Sequence, residues 1–147
     1  MKKAVPILLT LSLLLNAVLA YALVHQRSQE ERSHKIAAIA EIAAAVQCLE
    51  RYGETRNASD YMEAVTSLSV ACHEVEGLRD VDYRVTTEPF QNMQTLAVAW
   101  PDLVKANLPQ TITALSQLNT EDALTDTDVM AAFKAFTETM YTDVGAM

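Results

Sequence analysis

From Ala4 to Val24 the chain runs for 21 residues without a charge, directly after Lys2 and Lys3. No other feature restricts the fold as much. As a helix rising about 1.5 Å per residue, the run spans about 31 Å, close to the hydrocarbon thickness of a bilayer. Thr10 and Ser12 can bond back to the helix, whereas Asn16 is costlier in lipid and is expected to mark a helix–helix contact. Tyr21 and His25 stand where interfacial side chains sit. A second reading is a secretion signal. Ile7 to Leu15 is then its apolar core, with cleavage after Ala20 or Ala22. Tyr21 to Val24 extends the apolar stretch past either site and favours a retained anchor. Under both readings Lys2 and Lys3 stay in the cytoplasm and the remainder is extracytoplasmic. No cysteine directly follows the segment, which excludes the usual lipid-attached export.

The expected organisation is a cytoplasmic head at 1–3, a transmembrane helix or signal segment at 4–24, a stalk at 25–35 and a bundle domain at 36–147. With Lys2 and Lys3 set aside, nine basic and nineteen acidic residues remain, a net charge of −10. That balance argues against nucleic acid as a partner, since phosphates need basic groups to neutralise them. It also argues against the domain lying on an anionic lipid surface.

The downstream chain reads as all-α, a four-to-five-helix bundle. Gln29 to Tyr52 holds Ile39, Ile42, Val46 and Leu49 in one stripe, widened by alanines, with Gly53 ending the helix or beginning its cap. Asn57 or Ser59 caps a second helix, whose inner face is Tyr61, Val65, Leu68, Cys72, Val75 and Leu78 or Arg79. The stretch from Asp80 to Glu88 can be extended, but it is too short and isolated for a sheet. A third helix starts at Thr87 or Glu88 with Pro89 in its first turn and breaks at Trp100–Pro101. Gln110 to Leu118 resumes, and Thr125 caps a last helix carrying Val129, Phe133, Phe136 and Met140, with Gly145 as its end.

Site chemistry is sparse. Cys48 and Cys72 are candidates for a disulfide, because an extracytoplasmic compartment oxidises thiols. A tight hairpin centred near residue 56 would separate them by about 12 Å along the axis, beyond the reach of a bridge. Two buried thiols are therefore the competing expectation. His25, His34 and His73 lack partners at metal-ligand spacing, and Asp126 and Asp128 suit a helix start better than a calcium loop. No nucleophile elbow, phosphate loop or dinucleotide fingerprint occurs. Asn57-Ala58-Ser59 matches a glycosylation acceptor but reads better as a cap. Trp100, Phe133, Phe136 and Met140 are candidates for an interaction surface, with core packing as the competing role. No catalytic residue, metal or cofactor is expected. The sequence thus points to a membrane-anchored, extracytoplasmic helical interaction or adaptor protein that docks a protein partner. Two alternatives stand beside it: a small-ligand-binding or sensing domain acting through a membrane partner, and a secreted helical effector or inhibitor if the segment is cleaved.

Overall fold

The computed structural model describes residues 4–78, 81–120 and 122–145, with side chains from Ser12 onward. Lys2, Lys3, Arg79, Asp80 and Glu121 lie outside the described residues, and with them the cytoplasmic head and the start of the expected extended stretch. The described residues form α-helices and one π-helical turn, with no strand among them. The order is α1 (Ala4–Thr55), α2 (Ala58–Glu76), the π-helical segment Tyr83–Thr87, α3 (Glu88–Ala99), α4 (Pro101–Ala106), α5 (Leu108–Ser116) and α6 (Thr127–Gly145). The chain divides into two compact units, Met1–Ser33 and His34–Met147.

In the first unit every side chain from Ser12 to Glu30 is exposed. Leu13, Leu14, Leu15, Val18, Leu19, Leu23 and Val24 are among them, each with more than half of its surface exposed. The Tyr21 and His25 rings stack one helical turn apart, with centroids 6.2 Å apart. Among the described residues no helix is long and apolar enough to cross a membrane. The side chains of the first eight residues of the Ala4–Val24 run lie outside them.

Among the described residues the hydrophobic core lies in the second unit, from Ala38 to Met140. Residues 34–55 of α1 run antiparallel to α2: His34 meets Glu74, Cys48 meets Glu63 and Arg51 meets Asp60. Ala38, Ile42, Ala45, Cys48, Leu49 and Tyr52 are buried, the 3–4 spacing that one helix stripe produces. On α2 the buried set is Tyr61, Ala64, Leu68, Ala71, Cys72 and Val75, with Leu78 buried just beyond its end. α3 packs on α2 and α6, and α5 packs on α6. Phe90 of α3 and Phe133 of α6 meet at 5.2 Å between ring centroids.

Three local expectations are corrected. Gly53 does not end the first helix, which continues to Thr55. A Cβ there would lie 3.3 Å from Leu108 Cδ2, a tight approach that would press on the leucine methyl. The left-handed residue after the helix is Arg56, at φ 56°. The stretch after Asp82 is not extended but π-helical, opened by Asp82, whose carboxylate accepts from the Arg84 amide at 2.8 Å. The last helix is capped by Asp126, whose Oδ1 accepts from the amides of Asp128 and Val129. Thr125 instead donates its hydroxyl to the Asp122 carbonyl.

The expected break at Trp100–Pro101 is present. Trp100 has φ −130° and ψ 53°, outside the helical region, between α3 and α4. Asn57 caps α2 through its Oδ1, which accepts from the Ser59 amide at 3.0 Å.

Candidate functional site

Cys48 and Cys72 are both buried, free thiols. The register explains why no bridge joins them. Cys48 lies opposite Glu63, nine residues before Cys72 on α2. Nine helical residues amount to about 13 Å, and a disulfide needs alpha carbons within about 7 Å. The two thiols sit in different surroundings. Burial pushes the Cys48 thiol up, opposed by the Arg51 guanidinium, whose Nη2 lies 3.2 Å from the sulfur. Burial pushes the Cys72 thiol up to about 11, with the Glu76 carboxylate adding to the effect.

The four residues expected at an interaction surface separate. Phe133 and Met140 are buried in the core, whereas Phe136 is half-buried beside it. Phe133 and Phe136 together floor a shallow depression of about 380 Å³ between α5 and α6. Trp100 is the exposed member. It stands at the α3–α4 elbow, where the following proline stops the backbone from continuing as helix.

The histidines separate as well. His34 opens the second unit rather than lying in a stalk. Its Nδ1 is 2.7 Å from Glu74 Oε2, and a Cβ at Gly77 would come within 2.9 Å of its ring. His73 is exposed. Among the described residues no three His, Cys, Asp or Glu side chains gather as they would around a metal ion.

A concavity that no sequence motif signals lies elsewhere. It is an open groove of about 520 Å³ between the end of α1, the first turns of α2 and the α3–α4 elbow. Tyr52 and Tyr61 pack there with ring centroids 5.4 Å apart. Tyr61 donates its hydroxyl to the Ala97 carbonyl at 2.9 Å, so its polar end is satisfied, and burial holds its ionisation far above the usual phenol range. Met62, Val65, Val98 and Pro101 supply aliphatic walls. Two cations stand over the aromatic rings: Arg56 Cζ lies 5.7 Å from the Tyr52 centroid and Lys105 Nζ lies 4.9 Å from that of Tyr61. Such placements are favourable because the ring face carries negative quadrupole density. The sequence signals are two tyrosines flanking a turn and an arginine just past a helix end. Neither spacing forms a motif, and the α3–α4 wall is remote in sequence.

Comparisons of the chain with protein-family models, with curated proteins and with solved structures found no match.

Proposed function

We propose that the protein is a membrane-anchored helical interaction module. The run from Ala4 to Val24 acts as a single-pass anchor with its N-terminus in the cytoplasm. Residues 34–147 then form an extracytoplasmic bundle that engages a protein partner. The observation that carries this reading is the exposed apolar side of residues 13–24. Leu13, Leu14, Leu15 and Val18 are each more than 60% exposed. An apolar surface of that kind in water marks a membrane or interaction site, and the absence of charge from Ala4 to Val24 suits lipid best. The bundle adds a surface with Trp100, Met62 and Val98 exposed, beside a core that already satisfies its own buried polar side chains among the described residues.

The test is fractionation of cells expressing the full chain, followed by N-terminal sequencing. The chain is expected in the membrane pellet after a high-salt, alkaline wash, with its N-terminal segment intact. Protease added outside the membrane is expected to digest the bundle. A mature chain beginning at Tyr21 or Leu23 in the soluble fraction would replace the anchored reading with secretion of a helical effector. A bundle digested only after lysis would reverse the topology.

A further inference from the structure

We propose that the groove between the end of α1, the start of α2 and the α3–α4 elbow binds a single-chain anionic amphiphile, a fatty carboxylate, with Arg56 as the anchor for its head. This goes beyond the anchoring reading and stands without it.

Three observations converge on that ligand class. The first is shape and polarity. A groove of about 520 Å³ walled by Tyr52, Met62, Val65 and Val98 falls in the size range of small-molecule sites and offers an apolar bed for a chain. Tyr61 adds only its ring, since its hydroxyl is already committed to the Ala97 carbonyl.

The second is charge. The chain carries 19 acidic residues against 11 basic ones, so most of its surface repels an anion. Arg51, five residues before Arg56, pairs with both Asp60 and Glu63. Arg56 has no carboxylate partner among the described residues and instead lies over the Tyr52 ring at the groove. Lys105 stands on the same groove, though Asp102 at 3.6 Å already neutralises part of its charge. Arg56 is therefore the stronger anchor and Lys105 the weaker. An arginine fork can hold a carboxylate through two parallel hydrogen bonds, which fixes the head as well as attracting it.

The third is backbone strain. Arg56 is the sole residue other than glycine with positive φ among the described residues, and its amide closes the end of α1 on the Tyr52 carbonyl at 2.9 Å. Glycine or asparagine is the usual occupant of this position, because a Cβ is disfavoured there. An arginine held in that conformation at a groove is a strained residue in the kind of place where strain commonly serves binding.

The experiment uses the full chain in phosphatidylcholine nanodiscs and a decanoic acid bearing a diazirine near its chain end. After photolysis, the insertion sites are mapped by mass spectrometry. Insertion is expected within residues 52–65 and 97–105. Excess decanoate is expected to suppress it about tenfold, and decanol much less, because only the carboxylate engages the guanidinium. Arg56→Gly is expected to reduce groove labelling about tenfold while leaving the melting temperature within about 3 °C of the parent or raising it, since glycine relieves the strain. Lys105→Gln is expected to reduce labelling less. Should Arg56→Gly lower the melting temperature further, Arg56→Gln replaces it, removing the charge while keeping a side chain. Labelling of the Arg56 variants at the parent's level, or decanol competing as well as decanoate, would overturn the anionic anchor. Insertion confined to residues 4–24 would overturn the site and leave this face to a protein partner.

Discussion

Helix α1 carries apolar residues at both ends of its length, yet the two halves use them in opposite ways. Leu13, Leu14, Leu15, Val18, Leu19, Leu23 and Val24 point around the whole circumference and are exposed. After His34 the same helix buries one stripe, with Ala38, Ile42, Ala45 and Leu49 at 1% exposure or less, and leaves Ile36 as its exposed large apolar residue. The difference lies in the pattern of apolar residues around each half. An amphipathic helix is stabilised by the partner that covers its stripe, whereas a helix apolar on all sides offers no single face for such a partner. Arg27, Glu30, Glu31 and Arg32 stand at the change between the two patterns.

Paired substitutions break this comparison most directly. Phe133→Ala removes a ring that is 2% exposed and packed on Phe90. It is expected to cost about 3–5 kcal/mol, and Leu49→Ala about 2–5 kcal/mol, by lost burial and cavity formation. Leu14→Ala, at a side chain 61% exposed, is expected to leave the bundle's melting temperature unchanged. Thermal melts of the full chain in nanodiscs decide. A drop for Leu14→Ala as large as that for Leu49→Ala would show that the two halves share one cooperative core.

Next in size is a pH effect inside the bundle. Burial raises the Cys72 thiol from its ordinary 9.0 to about 11. Above pH 9 the unfolded chain therefore releases this proton while the folded chain retains it. The contribution to stability is complete below pH 9 and is lost as pH rises toward 11, by about 2 kcal/mol from this group. Cys72→Val is expected to flatten that part of the pH dependence; denaturant midpoints at about pH 8 and about pH 10.5 measure it. An unchanged slope would mean that the thiol ionises freely in the folded state. The α1–α2 register predicts two free thiols in protein isolated without reductant and then unfolded. A mass about 2 Da below the reduced form would establish a bridge and require a different register between α1 and α2.

Phe136→Ala should cost less than Phe133→Ala, about 1–2 kcal/mol, because Phe136 is only half-buried at the α5–α6 depression. The smallest effect belongs to the caps. Asp126→Ala leaves the Asp128 and Val129 amides without their acceptor and is expected to cost about 1 kcal/mol. Thr125→Ala, which removes a hydroxyl bonded within the preceding turn, should cost less. The reverse order would restore Thr125 as the cap.

Local signals are legible in the sequence where a single residue type enforces its own geometry. The Trp100–Pro101 break follows from proline alone. The 4-3-4-3 spacing from Tyr61 to Val75 likewise reads off the inner face of α2 without knowledge of what covers it. What stays hidden depends on a distant partner. Gly53 resembles a helix stop, but it lies inside the helix and faces Leu108, 55 residues later in the chain. His34 resembles a solvated stalk residue until Glu74 and Gly77 are folded against it. Neither Arg56 nor Lys105 belongs to a motif, and only the fold brings both to one groove. The cap of α6 escapes for a different reason: Thr125, Asp126 and Thr127 are all good cap residues, and the choice among them rests on how the preceding turn arrives.

The π-helical segment has a consequence for how this chain tolerates change in length. The Glu88 amide reaches back five residues to the Tyr83 carbonyl, one residue further than an α-helical ladder reaches. The turn therefore stores one extra residue between Asp82 and α3. Deleting a residue from 83–87 lets the turn close as ordinary α-helix while Phe90 keeps its facing, because the residue removed is the one the wide turn held in excess. Thr86 and Thr87, adjacent and both buried, face the interior together because the wide turn spreads them less than an α-helical turn would. The segment behaves as a length of slack: a single-residue deletion is absorbed here more readily than within the regular turns of α2 or α3, where it would rotate one side of the helix by about 100° against the other.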